Sequence, residues 1–120
     1  MSKRILVVDD SPIIHRLLGR AITNYGYTIC GDAKNGREAV EMYDQLLPDC
    51  VMMDVTMPVM NGMDATREIK RKYPESKIIM LTAMGDTELM AEAKLAGVDV
   101  FLKKPFDDEA VTAALATLLH

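Results

Sequence analysis

Ile5-Leu6-Val7-Val8-Asp9-Asp10-Ser11-Pro12 runs from four consecutive apolar residues through two carboxylates to a helix start. A short run that is apolar at every position, not at every second one, suits a strand covered on both faces. Ser11 can cap a helix, and Pro12 suits its first turn. The octet therefore reads as a buried strand that passes into a helix around an acidic corner.

The same unit recurs along the chain. Further apolar runs lie at Thr28–Cys30, Cys50–Met53, Ile78–Leu81 and Val98–Leu102. Helical patterns separate them. Ile14, Leu17, Leu18, Ala21, Ile22 and Tyr25 fall on one stripe, and Gly26 supplies a left-handed stop. Asn35 and Glu38 have capping-box spacing; Val40, Tyr43 and Leu47 follow before Pro48. Met63, Thr66, Ile69 and Tyr73 keep helical spacing between Gly62 and Pro74. Asp86 opens a fourth helix that closes at Gly97. Asp107 opens a fifth, with Val111, Ala114, Leu115 and Leu118 inward. Strict alternation of strand and helix predicts an α/β fold: a doubly wound, five-stranded parallel sheet with helices on both faces. A closed barrel would need eight such units and about twice the length.

The bulk numbers agree. The 120 residues suit one domain, residues 1–120, and 49% apolar content fills one core. The 14 basic against 18 acidic residues leave a net charge of −4, which argues against nucleic acid or an anionic membrane as the main partner. Cys30 and Cys50 lack metal-ligand spacing and read as buried, reduced thiols. The basic start, Met1-Ser2-Lys3-Arg4, precedes too short an apolar run for a signal peptide or a membrane span, so a cytoplasmic location is expected.

The residues that end the runs are the informative ones. They are Asp9-Asp10, Asp54, Thr82-Ala83 and Lys103-Lys104-Pro105. In an open parallel sheet the C-terminal strand ends form one edge, where ligands bind. Three carboxylates, a hydroxyl and an ammonium thus converge on one rim. Crowded carboxylates repel; raised pKa values with shared protons, or a hard cation, are the two remedies. Charge counting favours the second, because Mg²⁺ with Lys104 balances Asp9, Asp10 and Asp54. A carboxylate is also a competent nucleophile towards phosphorus, and phosphoryl transfer needs mainly positioning and charge stabilisation. Asp54 stands alone on the central strand and is the candidate nucleophile, with Asp9-Asp10 as a metal cradle.

Each residue also has an ordinary reading. The acidic pair and Asp54 can be capping or loop residues, Thr82 a β-former, Lys104 a solvated lysine and Pro105 a loop breaker. Their convergence on one rim makes the functional reading the stronger one. His15 reads as a helix-surface contact in preference to a phosphocarrier or metal ligand. Among ten methionines, Met52 and Met80 read as core, whereas Met57, Met60 and Met84 lie near the rim as adaptable partner contacts.

Four blocks, Ile5–Ser11, Met53–Gly62, Met80–Met84 and Phe101–Phe106, resemble the receiver domains of two-component response regulators of the stand-alone, chemotaxis type. The resemblance spans essentially the whole chain. It implies a flavodoxin-like sheet in the order 2-1-3-4-5 and a phosphorylation-dependent signalling switch, with a phosphoryl group passed from a histidine kinase to Asp54. It implies that Asp10, Asp54 and the Thr56 backbone carbonyl ligate Mg²⁺, that Asp9 acts through water, and that Thr82 and Lys104 bind phosphoryl oxygens. A cis Lys104-Pro105 bond is also implied. Phe101, with Lys103 beside it, marks the output face; Phe101 stands where the family often has Tyr, so its ring cannot donate an O–H bond. The chain would act on itself only, catalysing its own phosphorylation and dephosphorylation, as a monomer that signals to a flagellar motor component or a histidine phosphotransfer protein.

Two other classes use similar parts. A haloacid-dehalogenase-like phosphatase expects Asp-x-Asp after the first strand and a covering domain, whereas Asp9 and Asp10 are adjacent. A flavodoxin expects a Ser/Thr/Gly loop there to hold a phosphate; Asp9-Asp10-Ser11-Pro12 repels anions.

Overall fold

The apolar runs that end at Asp9 and at Asp54 are parallel neighbours. In the computed structural model, which describes residues 3–83 and 87–119, the elements alternate. They are β1 (Arg4–Val8), α1 (Pro12–Asn24), β2 (Thr28–Ala33), α2 (Gly36–Leu46), β3 (Cys50–Asp54), α3 (Gly62–Lys72), β4 (Ile78–Thr82), α4 (Thr87–Ala96), β5 (Val100–Lys103) and α5 (Asp108–Leu118). All strand pairs are parallel, in the order β2-β1-β3-β4-β5.

The continuous apolar runs divide by residue parity. Leu6, Val8, Val51, Met53, Ile78 and Met80 pack under α2, α3 and α4, with Ala39, Tyr43, Ile69 and Ala93. Ile5, Val7, Cys50, Met52, Ile79 and Leu81 face α1 and α5, with Leu18, Ile22, Val111 and Leu115. Successive side chains of a strand point to opposite faces, so only a strand between two helical layers needs apolar residues at every position. Burial pushes the Cys50 thiol up to about 12, as befits an inert core cysteine. Among the described residues no helix is long and apolar enough to cross a membrane.

Four local expectations are corrected. The first helix buries Leu18, Ala21 and Ile22, but Leu17 and Tyr25 are exposed, so its stripe is narrower than its apolar content. Leu47 is also exposed: it leaves the helix in the left-handed region at φ 47°, immediately before Pro48. β2 runs on through Gly31, Asp32 and Ala33, because an edge strand need not be apolar throughout. β5 begins at Val100, since the Val98 N–H closes α4 by donating to Ala93 O at 3.0 Å, next to Gly97 at φ 109°. The expected helix start at Asp86 and the position of Met84 lie outside the described residues.

The helix starts follow the sequence signals. Ser11, Asn35, Asn61 and Asp107 each accept a backbone N–H three residues on. Glu38 reaches back to the Lys34 N–H at 3.1 Å, one residue upstream of the bond a capping box would make.

The loop between β3 and α3 holds a strained turn. The Met60 N–H donates to Pro58 O at 2.7 Å, and Val59 between them adopts φ 68°. This three-residue turn at positive φ is rare and strained for an L-residue, and Asn tolerates positive φ better than a β-branched side chain. Val59 is 80% exposed, so replacing it loses no packing. Val59→Asn is therefore expected to raise stability by about 1 kcal/mol, read as a higher urea midpoint at unchanged slope. A lower midpoint would count against strain at this turn.

Candidate functional site

Because the strands are parallel, the ends of β1, β3, β4 and β5 share one edge. β1 and β3 are neighbours whose following helices lie on opposite faces, which opens a crevice at their C-terminal ends. Asp9 and Asp10 leave β1 at this point, and Asp54 closes β3 beside them. Each of the three offers a carboxylate oxygen within 4.8 Å of the others.

Their surroundings differ. Asp9 is buried and held at every polar atom facing the site. Its N–H donates to Ala33 O at 3.1 Å, its Oδ1 accepts the Ser11 N–H at 2.9 Å, and its Oδ2 accepts Lys104 Nζ at 3.0 Å. Asp54 keeps only 13% of its side chain exposed and shares the same ammonium, Lys104 Nζ to Oδ1 at 3.2 Å. Asp10 is exposed, and its carboxylate has no hydrogen bond or ion pair among the described residues.

The electrostatics follow. Burial, then the Asp9 charge, push the Asp54 carboxyl above its ordinary range, and Lys104 only partly offsets them. For Lys104, burial pulls downward, but the bond to Asp9 and the Asp54 and Asp9 charges prevail, so its ammonium is reinforced. Lys104 rises without lowering Asp54 because burial dominates at Asp54 and one cation is shared with Asp9. Oxygen-only donors, a carboxylate without a partner and this charge excess fit a hard dication. Receiver domains bind Mg²⁺ at such an acidic pocket.

The other sequence candidates lie close by. Thr82 is buried at the end of β4 and its carbonyl accepts the Lys104 N–H at 2.7 Å, so hydroxyl and ammonium come from adjacent strand ends. Lys104–Pro105 is cis. A cavity of about 350 Å³ opens between Asp54, Thr56, Thr82, Ala83, Leu89 and Lys104. The Thr56 side chain is exposed at its edge. Phe101 pairs with Met80 and is half-buried in the core under α4, while Lys103 is exposed beside Thr82.

Three supports escaped the sequence reading. A Cβ on Gly62 would stand 2.0 Å from the Asp54 carbonyl oxygen, so only glycine lets α3 begin there. The Gly62 N–H donates to Val55 O at 2.8 Å, folding the loop back over Asp54. Gly36, at the start of α2, donates to Met60 O at 2.8 Å and secures the far side of that loop. His15 is the third: its imidazole reaches both Asp9 O and Asp32. Gly62 was legible in the sequence only as the start of a helical stretch. The other two depend on contacts between separate elements.

An open parallel sheet with carboxylates, a hydroxyl and an ammonium on its C-terminal rim defines a class of α/β proteins built to handle a charged ligand at that edge. Residues 5–116 match the response regulator receiver domain, and the chain belongs to that family. It is 49% identical to the chemotaxis protein CheY of Thermotoga maritima over 115 residues, 96% of each chain. It is 44% identical to CheY of Halobacterium salinarum, covering 99% of this chain and 98% of that protein. A chain of the crystallised CheX–CheY–BeF3–Mg²⁺ complex from Borrelia burgdorferi superposes with a TM-score of 0.94 at 29% identity, covering 98% of this chain and 90% of that one. The protein is thus a phosphorylation-dependent switch of two-component signalling.

The raised Asp54 carboxyl has a consequence for stability. A carboxyl raised in the folded state keeps its proton to higher pH there than in the unfolded chain. Stability is therefore lost as pH climbs from about 4 through the folded-state value, and it stays lost at about pH 7. In chelator, Asp54→Asn should unfold at a higher temperature than wild type at about pH 7, and the gap should close towards about pH 4. An asparagine variant no more stable than wild type at neutral pH would contradict this.

Proposed function

We propose that Asp54 is the phosphoacceptor of a chemotaxis-type receiver, residues 1–120, taking its phosphoryl group from a histidine kinase. The observation that carries this reading is the single ammonium of Lys104 shared between buried Asp9 and half-buried Asp54, at 3.0 and 3.2 Å, beside an Asp10 carboxylate that has no partner among the described residues. A phosphoryl donor can reach Asp54 from the cavity side, since the carboxylate lines that opening with Lys104 holding its Oδ1.

In the transfer an Asp54 oxygen attacks phosphorus, the P–N bond to the donor histidine breaks, and the nitrogen keeps the electron pair. Mg²⁺ held by Asp10, Asp54 and the Thr56 carbonyl, with Asp9 acting through water, would offset charge on the phosphoryl oxygens. Lys104 then moves from sharing two carboxylates to holding a phosphoryl oxygen, while Asp9 keeps it in place. Thr82 offers its hydroxyl from the neighbouring strand end. The reaction is confined to the chain's own phosphorylation and dephosphorylation.

The message leaves by way of Thr82 and Phe101. Drawing the Thr82 hydroxyl towards a phosphoryl oxygen changes the space at the end of β4, and the half-buried Phe101 turns further inward to fill it. This is a shift between populated states, which needs a few kcal/mol of differential stabilisation. The receiving face is α4, β5 and α5, including Lys103. The CheY relatives favour a chemotaxis setting. In this reading the protein acts in the cytoplasm as a monomer, with a flagellar motor component or a histidine phosphotransfer protein as target. The acidic balance favours protein over nucleic acid.

Acetyl phosphate with Mg²⁺ is expected to add one phosphoryl group to the wild-type protein and none to Asp54→Asn, read by intact-protein mass spectrometry. Equal uptake by both would overturn the assignment of Asp54.

A further inference from the structure

The histidine of α1 is built into the acidic corner rather than onto the helix surface. His15 lies in the first turn of α1, where side chains lean back towards the helix N-terminus, and so it reaches the turn that precedes the helix. Its Nε2 stands 2.6 Å from the Asp9 carbonyl oxygen and its Nδ1 stands 2.7 Å from Asp32 Oδ1 at the end of β2. The Asp9 carbonyl can only accept, so Nε2 donates to it, while Nδ1 faces the Asp32 carboxylate. The ring is 17% exposed, against 57% for the Asp32 side chain.

The Asp9 carbonyl shares a rigid peptide plane with the Asp10 N–H. Whatever fixes that carbonyl fixes the direction in which the chain enters Asp10. The Asp9 side chain is already held by Ser11 and Lys104, whereas the Asp10 carboxylate has no partner among the described residues. The orientation of the 9–10 peptide is therefore what remains to direct that carboxylate.

We propose that His15 is a positioning residue for the cation site: braced by Asp32, it clamps the Asp9–Asp10 peptide and so aims the Asp10 carboxylate towards Asp54. This rests on the reading of the acidic cluster as a Mg²⁺ site. Partners that orient a ligand typically change metal affinity 10- to 100-fold when removed.

Calorimetric Mg²⁺ titration of wild type, His15→Leu, His15→Gln and Asp32→Asn tests it, alongside ¹⁵N relaxation of the metal-free proteins. The glutamine amide can still donate to the Asp9 carbonyl; leucine cannot. His15→Leu should weaken Mg²⁺ at least about tenfold, His15→Gln should stay within about threefold of wild type, and Asp32→Asn should fall between. The Asp10 amide should lose order in the leucine variant and keep it in the glutamine variant. A folded leucine variant with wild-type affinity and an ordered Asp10 overturns the proposal. So does a glutamine variant as weak as leucine, a comparison that a general packing role would produce. If His15→Leu does not fold, Asp32→Asn with wild-type affinity and order is the overturning result. If wild type itself binds no Mg²⁺, the metal reading fails, and the Asp10 amide alone decides whether His15 positions the turn.

Discussion

Mutual repulsion among Asp9, Asp10 and Asp54 is the constraint on which the rest of the site depends. Their oxygens lie within 4.8 Å of one another, and one ammonium, from Lys104, is shared between Asp9 and Asp54. The ion pair between Lys104 and Asp9 spans 95 residues of chain, so the compensation exists only when β5 has docked on β4 and β1 has docked on β3. Fold and site are therefore formed together. The remaining negative charge suits the pocket to a dication, and it is also a cost to the stability of the metal-free protein.

The rim joins two otherwise separate cores. Asp9 follows Val8, which packs under α2 and α3, while His15 and Ser11 tie the same turn to α1 on the opposite face. Lys104 is tied by its backbone to Thr82 and by its side chain to Asp9 and Asp54. A change in charge at Asp54 is felt first by Lys104, and through it by the end of β4 and by β5, where Phe101 lies half-buried. Of these, β5 belongs to the proposed output face.

Much of this was legible in the sequence because buried parallel strands leave a distinctive trace. Ile5–Val8, Cys50–Met53 and Ile78–Leu81 are apolar at every position, and the abrupt polar residue after each marks the rim. The convergence of Asp9, Asp10, Asp54, Thr82 and Lys104 followed from topology alone. Edges were harder to read: β2 continues through Gly31 and Asp32, and Leu17, Tyr25 and Leu47 are apolar yet exposed. Apolar character does not report burial where an element meets solvent. Gly62, Gly36 and His15 stayed hidden for another reason. Their roles depend on a close approach or a hydrogen bond between segments whose spacing carries no periodic signal.

The most direct test of the account is the urea unfolding of the metal-free protein with increasing Mg²⁺, against NaCl matched for ionic strength. A ligand that binds the folded state alone stabilises it logarithmically above its dissociation constant. The account predicts that Mg²⁺ raises the unfolding midpoint well beyond the matched NaCl, and that Asp10→Asn removes most of the difference. Equal midpoints in the two salts would contradict the claim that the three carboxylates form a cation site whose repulsion the fold leaves for a metal ion to relieve.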